Sequence, residues 1–317
     1  MTDQSALAES LQYLDDVDAL KSTPAQSHRL GSFALESHAD QRWHSALTAL
    51  VLGPRLADKA TVDGAILFIL LGLGYDGLWQ SKLPARCRAR LDPVLTPQSI
   101  SLGSTLLSVY LDRHGAKRDH ADYGLASIEQ SDFLAECDKL KDVFRATRLH
   151  DDSRHENTAE HSFHVALHAL LLEDFAKEPV DVFHVVRMLL VHDIVEIDAG
   201  DTPIHGAGDP QAQAEKEQAA ADRIFGLLPA AQGAELGALW TEFEANTTPE
   251  AQFAKSLDRV PPICANLANG GGTWVDYNVT YDQLVARVGQ KMANGAPLIW
   301  RHLDARIRIF PWFAAQL

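Results

Sequence analysis

The 317-residue chain has no apolar run long enough to cross a bilayer. Its longest, Ala65 to Leu73, spans nine residues, against about 20 for a transmembrane helix. Cysteine is scarce: Cys87, Cys137 and Cys264 are the only three, and none sits in a CxxC pair. That usage argues against a disulfide framework and suits a reducing cytoplasm. Basic residues are in the minority, with 28 Lys and Arg against 43 Asp and Glu and a formal net charge of −15. So acidic a chain repels a nucleic-acid backbone unless a basic patch intervenes. The densest basic stretch, RCRAR at 86–90, is short and reads as a solvated helix face. The opening MTDQSALAES carries acid and lacks the apolar core of a signal peptide. The expectation is a cytoplasmic protein with neither nucleic-acid nor membrane partners.

Strand-like alternation of any length is also missing, and helix signals take its place. SALAESLQYLDDVDAL, ADQRWHSALTALVL, AEHSFHVALHALLLEDFA and AQAEKEQAAADRIFGLL all space apolar residues by three and four. PVDVFHVVRMLLVHDIVEI is richer in β-branched residues, but its length and its start at an Asp after Pro179 favour a helix. Turn chemistry sits at Gly53-Pro54, at Gly206 to Pro210 and at Asn269 to Gly272. With 46% hydrophobic and 22% charged residues, a folded core is expected. The fold class read from these patterns is all-α.

An internal repeat organises the chain. Residues 36–52, ESHADQRWHSALTALVL, align without gaps to 156–172, ENTAEHSFHVALHALLL, with eight of seventeen positions identical. In the same register the apolar run at 66–76 falls within VVRMLLVHDIVE at 185–196. Two segments sharing one offset indicate a decayed duplication. The copies differ in their polar residues: Gln41 stands opposite His161, Gly72 opposite His192 and Leu73 opposite Asp193. Residues 1–125 are therefore expected to be a smaller, degenerate helical domain with a scaffold role. Residues 126–317 are expected to hold the chemistry, with the linker near 117–130.

The second half places an unusual charge load at the end of an apolar run. His192 is followed by Asp193, Glu196, Asp198 and Asp201, with Asp209 further on. Burying such groups without partners costs roughly several kcal/mol each, so something positive, or a great deal of water, should receive them. His161 in ENTAEHS, His192-Asp193 and Asp258 in AKSLDRV form a nitrogen and oxygen donor set that suits one divalent ion. Mn, Co, Fe, Ni or Zn fit such donors, and Mg is admissible. Adjacent helix residues diverge by about 100°, so His192 and Asp193 can converge on one ion only at a helix end or distortion. His164 and His168 share a face with His161. His164 is retained as His44 in the other copy, which favours a packing role.

This set resembles the HD superfamily of metal-dependent phosphohydrolases, whose pattern is H…HD…D. The string R-x-E-N-x-x-E-H-S from Arg154 to Ser162, with H-D-x-x-E-x-x-x-x-D from His192 to Asp201, resembles the 5′-deoxynucleotidase-like branch. The resemblance covers Phe133 to the C-terminus and implies an HD-domain helical bundle. It implies that His161, His192, Asp193 and Asp258 hold the metal, that Glu196 is the catalytic acid and that Asp201 is a second carboxylate near the scissile phosphate. Arg145 stands where the family places a phosphate-binding arginine. Its spacing to His161 is one residue longer than in the nucleotidases, so Arg148 is a rival for that role. Ala146 replaces the aromatic residue that follows this arginine in the nucleotidases.

The function expected is metal-dependent hydrolysis of a phosphomonoester, a nucleoside 5′-monophosphate first among candidates. The partner is then a small phosphorylated substrate. Two alternatives stand beside it: a non-catalytic nucleotide sensor, and a di-iron HD-type oxygenase. The latter needs further histidines between the HD pair and the last aspartate, where only His205 lies. The first half is expected to act as a built-in partner in an internal pseudo-dimer, with a homo-oligomer as the other possibility. The Gly270 to Trp274 stretch is either a loop over the pocket or an ordinary surface turn.

Overall fold

A computed structural model describes residues 3–30, 32–73, 82–114, 125–206 and 209–316. Residues 117–124 of the expected linker, 74–76 of the repeat and 207–208 of the expected Gly206 to Pro210 turn lie outside them. The longer helices are α1 (Asp3–Val17), α2 (His38–Leu52), α3 (Lys59–Leu70) and α4 (Pro97–His114) in the first half. The second half contributes α5 (Ile128–Cys137), α6 (Thr158–Leu172), α7 (Val182–Val191), α8 (Pro210–Phe225), α9 (Ala230–Ala245), α10 (Pro249–Leu257), α11 (Val260–Ala268) and α12 (Pro297–Ile309). No described helix is long and apolar enough to cross a membrane.

The all-α class holds, with an addition that the sequence patterns do not reveal. Two short antiparallel hairpins are present, β1 (Pro24–His28) with β2 (Leu35–Ser37) and β3 (Phe144–Arg148) with β4 (His155–Asn157). Strands of three to five residues show too few alternations for a period of two to register. The β1–β2 register pairs Pro24 with Ser37 and His28 with Leu35. The β3–β4 register pairs Phe144 with Asn157 and Arg148 with His155. Each pair is the other shifted by 120 positions, the same offset that aligns α2 with α6.

Each hairpin feeds its helix through the same cap. Ser37 Oγ accepts from Asp40 N at 3.1 Å while Asp40 returns a bond to Ser37 N. Asn157 Oδ1 accepts from Glu160 N at 2.9 Å while Glu160 returns one to Asn157 N. These reciprocal boxes satisfy donors that a helix start leaves orphaned. They also fix the angle at which α2 and α6 enter the core.

The two halves share one apolar core rather than packing as separate bodies. α6 is buried along its whole length, as expected of a helix that is apolar on most faces. It lies against α2, α7 and α1, while α5 packs on α2. Each half thus lends its first helix to the other. The polar contacts across this junction come in matched pairs. His44 Nε2 meets the Leu134 carbonyl at 3.0 Å, and His164 Nε2 meets that of Leu14 at 2.9 Å. Leu30 N donates to Asp138 at 2.8 Å, and His150 N donates to Asp18 at 3.2 Å. Lys141 pairs with Glu36 and Lys21 with Glu156, both at 2.7 Å. Reciprocal contacts of this kind are the mark of an isologous, two-fold interface, here within one chain.

Because α6 is the shared centre, truncating it should be costly. Leu170→Ala, at a fully buried position, is expected to lower stability by about 2–5 kcal/mol through lost transfer energy and a residual cavity. A shift in the urea or thermal unfolding midpoint measures it.

Candidate metal centre and active site

The apolar helix α7 packs on α6 and α10 and stops at Val191, with His192 as its C-cap. Beyond it the backbone winds more tightly, through bonds from Ile194 N to Val191 O (3.3 Å) and from Glu196 N to Asp193 O (2.9 Å). A three-residue turn eclipses side chains at i and i+3, which places Glu196 over Asp193. It also lets the adjacent His192 and Asp193 turn inward together. The distortion that the sequence demanded at this pair is present.

Four side chains from three elements meet there. His161, in the first turn of α6, has Nε2 at 2.8 Å from Asp258 Oδ1 and 3.9 Å from Asp193 Oδ2. His192 Nε2 lies 3.1 Å from Asp193 Oδ2 and 3.9 Å from Asp258 Oδ1. Asp258 caps the C-terminus of α10. Donor atoms around a first-row ion with bonds of about 2.1 Å stand about 3.0–3.4 Å apart, so the observed spacing suits a shared ion. Of the back nitrogens, His192 Nδ1 donates to the Leu189 carbonyl at 2.9 Å, and His161 Nδ1 only faces Glu156 Oε2, at 3.5 Å. Such outer partners fix ring orientation in metal sites.

The charged groups of the cluster shift one another's protonation. Burial works against the His192 imidazolium, but Asp193 and Asp258 outweigh it and raise its pKa to about 10. Burial and then the Asp193 charge push the Glu196 carboxyl well above its usual range. Burial, followed by Asp193, also raises Asp201 against the pull of Arg145. A divalent cation would replace these protons, as metal binding to imidazole and carboxylate commonly does.

Arg145 on β3 closes the acidic ring. Its Nη1 lies 3.1 Å from Asp193, 3.6 Å from Asp201 and 3.8 Å from Glu196. Glu196 Oε2 accepts from Thr158 Oγ1 at 2.9 Å, which steadies the carboxylate from the start of α6. Arg148 lies three residues along the strand, at the far side of an irregularity in its pairing with β4. It pairs with the Asp152 carboxylate and donates to the Asp152 carbonyl at 2.7 Å, and it does not line the cavity.

That cavity has a volume of about 240 Å³. Arg145, Asp193, Glu196, Asp201 and Asp258 form its polar end. Ile204, Ile263, Trp274, Tyr277, Leu284 and Val288 form much of the apolar remainder, with His205 among the polar members. The glycine-rich stretch belongs to this wall. Gly270 and Gly271 take φ of +81° and +113°, where a side chain is disfavoured. Asn266 then brackets Thr273 through bonds of 2.9 and 3.1 Å. Thr273 and Trp274 consequently face the cavity. His164 and His168 take no part: the first bonds Leu14 O, and the second bonds His164 O at 2.7 Å.

The equivalent region of the first half holds no such donor set among the described residues. Gln41 donates to Ser27 Oγ. Gly72 has φ +70°, and the Arg42 guanidinium fills the space where a Cβ would stand. His44, His114 and Asp138 do form a second close group of donors. The Lys141 ammonium already sits among them, 3.1 Å from His44 Nδ1 and bonded to Asp138 and Glu36. The residues that sequence reasoning passed over are Glu156, Thr158, Lys21 and the apolar wall other than Trp274. Among these, Glu156 carried a signal, as the Glu of the string beginning at Arg154.

Comparison with known proteins bears on the same half. 5′-Deoxynucleotidase HDDC2 of Homo sapiens is 30% identical over 142 residues, covering 44% of this chain and 67% of that protein. Its Xenopus laevis relative is 33% identical over 108 residues, covering 34% of this chain and 52% of the relative. The chain thus spans about half to two thirds of the length of these curated relatives. A solved structure described as a predicted metal-dependent phosphohydrolase from Magnetospirillum magnetotacticum MS-1 shares 44% identity and a TM-score of 0.54, over 59% of this chain and 94% of its own. The HD domain family matches residues 137–300, the span that holds all four converging donors. On that match, the chain belongs to the HD domain family.

Proposed function

We propose that the protein is a divalent-metal-dependent phosphohydrolase that cleaves phosphomonoesters, with nucleoside 5′-monophosphates as the preferred class. One observation carries the reading: Arg145, the Thr158-held Glu196 and two of the four convergent donors, Asp193 and Asp258, line the charged end of a cavity whose remaining wall is largely apolar, with His161 and His192 against the two aspartates. A phosphate fits the first end and a nucleobase the second. The names of the nucleotidase and phosphohydrolase relatives point the same way.

His161, His192, Asp193 and Asp258 would hold the ion, which when bound stabilises charge on a phosphoryl oxygen. The chain's own groups do the rest. Arg145 exchanges its carboxylate partners for the phosphate, to which its planar fork offers paired donors. Glu196 takes a proton from the attacking water as the new P–O bond forms. The same proton is then available to the leaving alkoxide as the ester P–O bond breaks. Asp201 orients the water or a substrate hydroxyl, and the apolar wall keeps bulk water from the reacting end. Among first-row ions the donor set does not discriminate strongly, so supply decides which is bound.

The test is release of inorganic phosphate from a panel of ribo- and deoxynucleoside 5′-monophosphates, with Mn²⁺, Co²⁺, Ni²⁺, Zn²⁺ or Mg²⁺ added. Turnover that depends on the added ion is expected. Metal-loaded protein that hydrolyses nothing across the panel would sink the proposal. Tight nucleotide binding without turnover would then favour a sensor.

A further inference from the structure

Glu156, on β4, stands behind both His161 of the donor cluster and Arg145. Its Oε2 faces His161 Nδ1 at 3.5 Å and Arg145 Nε at 3.7 Å. Its other oxygen meets the Lys21 ammonium at 2.7 Å. Lys21 belongs to the single turn Ala19–Ser22 of the first half, outside the span that matches the HD domain family. Both side chains are almost wholly buried, and Lys21 Nζ also binds Asp18 at 2.5 Å. Arg154 donates to the Lys21 carbonyl at 2.6 Å and so ties the turn to the β3–β4 hairpin.

We propose that Lys21 is a positioning residue for the site, supplied by the half of the chain that has lost its own donors. It acts through Glu156, holding that carboxylate where it orients the His161 ring and the Arg145 side chain. The inference rests on the reading of the four-residue cluster as a metal centre. A buried carboxylate without its ammonium would turn toward another donor. That change removes the carboxylate from behind His161 Nδ1, and loss of such an outer partner weakens metal affinity by about 10–100-fold.

The internal two-fold supplies the control. Lys141 makes the reciprocal pair with Glu36 at 2.7 Å, but Gln41 stands there in place of a ligating histidine, and Glu36 accepts from Tyr110 at 2.7–2.8 Å. Both lysines are buried and both cross the junction, so a purely structural role predicts matched effects for the two. A positioning role predicts an effect for Lys21 alone.

The experiment measures Co²⁺ binding to the full chain by titration of its visible absorption, together with the unfolding midpoint. Lys21→Gln, Lys141→Gln and Glu156→Gln each keep a polar side chain in the junction. Expected is a loss of Co²⁺ affinity of about 10–100-fold with an altered spectrum in Lys21→Gln and Glu156→Gln. Lys141→Gln should stay within twofold of the parent. Parent-like affinity in Lys21→Gln, or an equal loss in Lys141→Gln, overturns the inference. Should Lys21→Gln fail to fold, Glu156→Gln decides: an unchanged affinity overturns the proposal and a tenfold loss supports it. A parent chain that binds no Co²⁺ overturns both this inference and the metal-centre reading, whereas binding that the variants leave intact overturns this inference alone.

Discussion

Replacing His192 by alanine is expected to abolish metal-dependent activity and to lower metal affinity by at least roughly a hundredfold. The size follows from sharing a binding free energy of about 10–16 kcal/mol, typical of structural zinc at neutral pH, among four ligands. His192 is a direct donor whose ring is already aimed, since its Nδ1 is held by the Leu189 carbonyl. Alanine also leaves Asp193 and Asp258 with only His161 between them. Metal content after dialysis measures the loss. An independent readout is thermal: an ion that binds only the folded state raises the midpoint in proportion to ln(1 + [L]/Kd). Added Mn²⁺ should therefore stabilise the parent and leave His192→Ala unmoved. Equal stabilisation of both proteins would place the ion elsewhere.

The second large effect is expected at Glu196, and it should separate cleanly from the first. Glu196→Gln keeps a partner for Thr158 Oγ1 and removes the capacity to take a proton. Loss of a positioned general base typically costs about 10²–10⁴ in rate. The fall should appear in kcat, with bound metal unchanged and KM altered only slightly, because the group acts in the transition state. Activity within tenfold of the parent would transfer the proton to another carboxylate, with Asp201 next in line at the same end of the cavity. A loss of metal would instead mark Glu196 as a ligand.

Much of this centre was legible before any coordinates. His161, His192, Asp193 and Asp258 stand out as a combination, since each alone reads as packing or an ordinary ion pair, and the fold brings each imidazole Nε2 within 3.9 Å of both aspartates. The duplication was legible for a different reason, since an offset survives in apolar positions after the polar ones have changed. What stayed hidden was set by partners remote in sequence. Lys21 reads as an ordinary charge until the fold seats it against Glu156. The strand that carries Arg145 is too brief to announce itself, and without it nothing decides between Arg145 and Arg148. The cavity wall from Ile263, Leu284 and Val288 consists of residues found in any apolar core. The tight winding after Val191 was deducible only as a requirement, because adjacent residues otherwise point apart.

The arginine lodged beside Gly72 limits what one substitution could restore there. The offset sets this glycine opposite His192, yet a Cβ there would lie 2.2 Å from Arg42 Nη2, on a backbone with φ +70°. Reinstating an imidazole by one substitution would therefore collide with a cation and strain the chain at once. A donor at position 72 thus requires both that the Arg42 guanidinium swing aside and that the backbone leave the left-handed region, so no single substitution rebuilds the centre in the first half.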